Sequence, residues 1–176
     1  GIDGAAHAAA LAAGGRSLAV LAGGLDRIYP AEHEPLAARI ERDGALLSEY
    51  FPGLPTVAGN FVARNRLIAA LGLVTLVCEA GRRSGAMLTA RFAADYGRDV
   101  LAVPGRVGDP GSSGVNEMIR DGAGLVQSTQ DVLAALGLAA AGRGPDEHDA
   151  AGAPGEDGLA GTSLAETVLG ALRRGP

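Results

Sequence analysis

The chain of 176 residues contains no lysine and no tryptophan, and its 15 basic residues are all arginine. Without lysine there is no P-loop ammonium to reach a nucleotide's phosphates and no side-chain amine for a Schiff base. Two large enzyme classes are excluded by that one absence. A lone cysteine, Cys78, rules out an internal disulfide. His7, His33 and Cys78 lack ligand spacing, so neither a metal nor a cofactor is expected. No apolar run approaches the roughly 18 residues of a membrane span and no signal-like start is seen, which predicts a cytoplasmic protein without a membrane partner.

What is present suits one compact α/β domain: 47% hydrophobic residues, 3% aromatic, and 28 glycines. The net charge of −5 argues mildly against nucleic acid, but it is unevenly spread. Residues 60–98 hold arginines 64, 66, 82, 83, 91 and 98 against Glu79 and Asp95, a local balance of +4.

Apolar runs at Ser17–Ala22, Ala45–Ser48, Val74–Cys78 and Val100–Val103 read as strands. They alternate with helical patterns at Ala31–Arg42, Asn60–Leu71 and Ala86–Tyr96, after a first helical stretch at Ala5–Ala13. A helix at Val115–Arg120, a strand near Leu125–Val126 and a helix near Gln130–Leu136 follow. Alternation of this kind predicts a doubly wound, mostly parallel Rossmann-like sheet. The domain is expected over 1–137, then a flexible acidic linker over 138–161, rich in Ala, Gly, Pro, Asp and Glu. A short amphipathic helix is expected within 162–176.

Two stretches carry chemistry. In Asn60–Leu71, Asn60 is placed to cap the helix, while Leu67, Ile68 and Leu71 take the core spacing and leave Phe61, Arg64 and Asn65 near the opening turns. An aromatic face beside guanidinium forks suits a stacked base and its phosphates. The same spacing also suits a hydrophobic staple at Phe61, with the arginines solvated or paired to acids. Gly81-Arg82-Arg83-Ser84-Gly85 follows a strand where open α/β sheets bind ligands, and it feeds a helix whose first amides favour an anion. A plain tight turn is the alternative. Ser84 as a nucleophile fits poorly, since the spacing is G-x-x-S-G and no histidine is placed to support it. Asp26 and Tyr29 read as residues of a satisfied turn beside the site. Val103-Pro104-Gly105 and Gly111–Asn116 bracket either a further phosphate rim or a structural loop, and Asp3 and Glu79 read as solvated carboxylates.

Taken in order, Gly1-Ile2-Asp3, Asp26-x-x-Tyr29-Pro30-x-x-His33, Ser48-Glu49-Tyr50, Asn60-Phe61-x-x-Arg64-Asn65-Arg66, Ser84-Gly85-x-x-x-Thr89-Ala90 and Ala102-Val103-Pro104-Gly105 resemble the DprA/Smf family of DNA-processing proteins. The match runs from residue 1 to about 136. The resemblance implies a Rossmann-like domain that binds and protects single-stranded DNA, forms a homodimer, and helps load a RecA-type recombinase in natural transformation. Phe61 then looks like the family's base-stacking aromatic, Arg64, Asn65 and Arg66 form its R-N-R segment, and Ser84, Gly85 and Thr89 resemble its phosphate-binding turn. Arg82 and Arg83 join them as expected DNA contacts.

The chain departs from the family pattern in three places. It begins after the family's S-G-x-A-x-G segment and its arginine, so the first strand of the domain is expected to be missing. Ala58 stands where some members carry a basic residue, and 162–176 spans only the first helix of the winged-helix domain that ends many relatives. Two rival functions fit the residues less well. A phosphoribohydrolase of the LOG type needs P-G-G-x-G-T-x-x-E, and Pro104-Gly105-Arg106-Val107-Gly108-Asp109 departs from that after its first glycine. A structural interaction module would use its arginines only for solubility.

Overall fold

The computed structural model describes residues 1–138. The linker and the terminal helix expected after residue 138 lie outside the described residues. Helix α1 (Ile2–Ala12) begins three residues earlier than the alanine run suggests, with Asp3 in its first turn complementing the helix dipole. Strand β1 (Leu18–Val20) leads through a long loop and a 3₁₀ turn (Ala31–His33) into α2 (Glu34–Asp43). Pro35 sits in the first turn of α2, where its missing N–H costs no helical bond. Then follow β2 (Ala45–Leu47), α3 (Ala58–Leu71), β3 (Val74–Val77), α4 (Gly85–Asp95) and β4 (Asp99–Ala102). The described part closes with α5 (Ser113–Arg120), β5 (Gly124–Leu125) and α6 (Thr129–Ala135). A reciprocal capping box between Ser128 and Asp131 starts α6, and the two backbone N–H donors it collects hold the Asp131 carboxyl below its ordinary pKa.

All strand pairs are parallel. Leu18 to Val20 of β1 register with Ala45 to Leu47 of β2, and Val74 to Val77 of β3 with Asp99 to Ala102 of β4, which pairs in turn with β5. Helices α2, α4 and α5 each connect one strand to its parallel neighbour, as parallel pairing requires. This is the Rossmann-like α/β arrangement, but in place of the expected single sheet the strands form two groups, β1-β2 and β3-β4-β5. Among the described residues no strand lies between β1 and β3. Residues of both strands instead line a slot of about 1010 Å³, together with residues of α1, α2 and α3.

Small side chains set the packing. Ala69 of α3 and Ala93 of α4 are fully buried, and these two helices lie against each other. Val77, Ala80, Ala90, Ala102, Val115 and Met118 form the core beneath α4 and α5. Helix α5 approaches so closely that a Cβ on Gly114 would stand 2.6 Å from the Ala80 carbonyl oxygen, so only glycine fits there. The Gly114 N–H donates to that same oxygen at 2.8 Å, which fixes the loop leading to Ser84.

Candidate nucleic-acid interface

The carboxyl ends of β1 and β3 deliver the loops that matter. After β1 the chain passes Gly23 and Gly24, both buried. A Cβ on Gly24 would meet the Phe51 carbonyl oxygen at 2.7 Å and Pro52 at 2.9 Å, so loop 24–29 and loop 51–57 touch backbone to backbone. Ser48 Oγ donates to the Gly23 carbonyl at 2.6 Å, and the Gly53 N–H donates to Asp26 Oδ2 at 3.0 Å. The turn role expected for Asp26 is therefore filled by a bond across to the second loop.

Helix α3 opens at Ala58 with Val57 as its N-cap, which corrects the expectation that Asn60 caps it. Asn60 lies inside the first turn, and its amide donates to the Ala22 carbonyl at 2.9 Å. That carbonyl, at the end of β1, is a better partner than a helix end already one turn past. Phe61 is half-buried, in an edge-to-face contact with Tyr29 at 5.8 Å between centroids, and the Arg64 guanidinium lies 5.8 Å from the centre of its ring. Arg64 Nη1 donates to the Val20 carbonyl and its Nε to Asn65 Oδ1 at 3.2 Å. Burial pulls the Arg64 pKa below its ordinary value, opposed by the charge of Asp3. The group stays a cation and braces α3 against β1.

Asn65 is buried and joins the two helices, its Nδ2 donating to the Gly85 carbonyl at 3.3 Å. At the start of α4, Ser84 is the N-cap and its Oγ accepts from the Ala86 N–H at 3.2 Å. Gly85 is exposed, so the first turn of α4 presents its backbone to solvent. Thr89 Oγ1 donates back to the Gly85 carbonyl at 3.4 Å, one turn along the same helix. Phe61, Arg64, Asn65, Gly85 and Thr89 all line the slot between β1 and β3, so two helix starts and an aromatic pair converge on its rim.

The remaining expected residues are not gathered there. Arg66 is paired through Nη2 with both carboxylate oxygens of Glu49. Arg82 pairs with Glu117 at 3.2 Å and lines a separate recess of about 320 Å³ with Arg106 and Arg120. Arg83 is exposed on the turn. The local balance of +4 read over residues 60–98 is thus reduced by acids from outside that stretch, Glu49 and Glu117, which a local sum does not see. The loop at Pro104 is structural: the Gly105 N–H donates to Asn116 Oδ1 at 3.1 Å and Asn116 Nδ2 donates to the Gly105 carbonyl at 3.0 Å. Those groups are spent tying the loop to α5. Tyr29 as the partner of Phe61 is not legible in the sequence, because an edge-to-face pair formed across a loop leaves no periodic trace there.

Comparison with known proteins agrees with this fold. The chain is 48% identical over 134 residues to Protein Smf of Escherichia coli, an alignment covering 76% of this chain and 36% of that protein. The X-ray structure of DNA processing protein A (DprA) from Streptococcus pneumoniae superposes with a TM-score of 0.70 at 46% identity, covering 76% of this chain and 47% of that one. A structure of DNA processing protein A from Helicobacter pylori, described for its single-stranded DNA binding mode, gives a TM-score of 0.63 at 32% identity over 68% of this chain and 55% of that one. The chain therefore spans about a third to a half of the length of these relatives. Among the described residues no helix is long and apolar enough to cross a membrane. A family model of DNA recombination-mediator protein A matches residues 1–137, and the chain belongs to that family.

Proposed function

We propose that this chain is a cytoplasmic, non-catalytic module that binds single-stranded DNA, and that in its parent protein it acts as a homodimer that protects incoming strands and helps load a RecA-type recombinase during natural transformation. The observation that carries the reading is the shared rim at the slot. There the capped start of α4, with Ser84 and the exposed Gly85 backbone, is tied through Asn65 to the helix that carries Phe61 and Arg64. Helix-start amides hold a phosphate, and an aromatic ring beside them holds a base; no general base stands beside Ser84 or Thr89 among their hydrogen-bond partners. The Helicobacter pylori relative supports the ligand class.

The test is fluorescence anisotropy with labelled oligo-dT and a duplex of equal length over a range of salt. Single strands should bind more tightly than duplex, because stacked pairs cannot reach a ring, and affinity should fall linearly on a log–log salt plot. Equal affinities for the two, or no binding at low salt, overturn the reading.

A further inference from the structure

The ring that the sequence singles out is not the one most open to a base. Phe61 is half-buried, in edge-to-face contact with Tyr29 and with the Arg64 guanidinium over its ring. The open rings are its neighbours on the two joined loops: Tyr29 is 65% exposed and Phe51 is 80% exposed. A solitary exposed aromatic needs no explanation. Here two occur on loops that are locked together through Asp26 and Gly53, Ser48 and Gly23, and the close passage of Gly24 under Phe51 and Pro52. Leu54 and Val57 extend the apolar surface along the second loop, about half exposed each.

We propose that Tyr29 and Phe51 are additional base-stacking residues, so that a bound single strand runs from the Ser84 turn across the Phe61–Tyr29 pair and onto the loop that carries Phe51. Phe61 then both stacks a base and supports the Tyr29 ring, and the strand seats more than one base. This inference rests on the single-stranded DNA reading above. Nucleic acid fits the patch better than a protein does for two reasons. The patch is continuous with the Phe61 and Arg64 rim through the edge-to-face contact. Loop 24–29 also sets Arg27 two residues before Tyr29, exposed and without an ion pair among the described residues, while the one acid of that loop, Asp26, is occupied by the Gly53 amide. A cation on the same loop as an open ring suits a phosphate and its base. Loops already tied to one another also lose little backbone freedom on binding.

Because the chain has no tryptophan, Tyr29→Trp and Phe51→Trp each introduce a single reporter. Titration of each variant with oligo-dT should quench its emission, saturating at the same oligonucleotide concentration as anisotropy. Tyr29→Ala and Phe51→Ala should each weaken oligo-dT binding by about fivefold or more with the salt slope unchanged, since stacking and not charge is lost. Tyr29→Phe should bind like the parent. Phe51→Ala separates a direct contact from an effect relayed through Phe61, because Phe51 is not in an aromatic contact with it. If the parent binds oligo-dT while the reporters stay unquenched and both alanine variants keep parental affinity, the second platform is refuted and the DNA reading stands. If the alanine variants keep DNA affinity and lose self-association in sedimentation, the patch joins copies of the chain and the proposal falls. If the parent binds no oligo-dT, both fall together.

Discussion

Asn65→Ala is the most searching perturbation of the rim, because this side chain hydrogen-bonds helix α3 to the start of α4. The residue is 9% exposed, and its carboxamide accepts from Arg64 Nε at 3.2 Å and donates to the Gly85 carbonyl at 3.3 Å. Neither partner residue loses all its bonds: Arg64 keeps the Val20 carbonyl through Nη1, with only its Nε on a half-buried side chain giving up an acceptor, and the Gly85 carbonyl keeps Thr89 Oγ1. The cost is therefore that of two ordinary hydrogen bonds, about 1–2 kcal/mol, and not the larger penalty of a stranded polar group. For a domain of this size each kcal/mol lowers the melting temperature by about 4 °C, so a fall of about 4–8 °C is expected. Oligo-dT affinity should fall too, with an unchanged salt slope, because α3 and α4 lose their mutual position while no phosphate-contacting charge is removed. Asn65→Asp sharpens the test. It keeps an acceptor for Arg64 but turns a carboxylate toward the Gly85 carbonyl, and at neutral pH it should melt below the alanine variant. Thermal unfolding by circular dichroism and anisotropy at several salt concentrations read both effects. A melting temperature within about 2 °C of the parent for Asn65→Ala, or an aspartate variant as stable as the parent, refutes the reasoning.

Ser84→Ala removes the cap of α4 and should cost about 0.5–2 kcal/mol together with some oligo-dT affinity, whereas Ser84→Asp should keep the stability and still bind less, so thermal shift and anisotropy must diverge between the two. Unchanged binding in both would remove the Ser84 turn from the interface. Gly114→Ala places a methyl 2.6 Å from the Ala80 oxygen and 2.8 Å from the Gly81 oxygen, and should destabilise by about 1–3 kcal/mol. Gly59→Ala, in open space on α3, should stabilise by up to about 1 kcal/mol, and chemical denaturation of the pair checks the opposite signs. His7 stands 2.6 Å from Ser17 Oγ, and burial holds its pKa below the ordinary value, with Asp3 opposing and His33 assisting. A depressed histidine favours the fold above its ordinary pKa of about 6.5 and loses that contribution as pH falls through the folded value, so His7→Gln should flatten the melting temperature's decline on acidification.

The sequence by itself determined the elements and much of their chemistry. Alternating apolar runs and helical patterns locate every strand and α-helix of the described part to within a few residues, because periodicity, capping and turn residues act within one or two turns of chain. The start of α4 is such a case: the Gly81–Gly85 turn after a strand reads as leading into a helix wherever that helix packs. The order of the short motifs likewise identified the family before any geometry was known. Only the tertiary structure decided how those residues are used. Whether an arginine meets a phosphate or an acid depends on what the crossovers bring beside it, and they bring Glu49 to Arg66, Glu117 to Arg82 and the Val20 carbonyl to Arg64. The same long-range placement set Tyr29 against Phe61, moved Asn60 from the helix cap to the Ala22 carbonyl, and divided the strands into two groups around a slot. Interactions of that kind are pairwise between residues far apart in the chain, so no local window of sequence contains them.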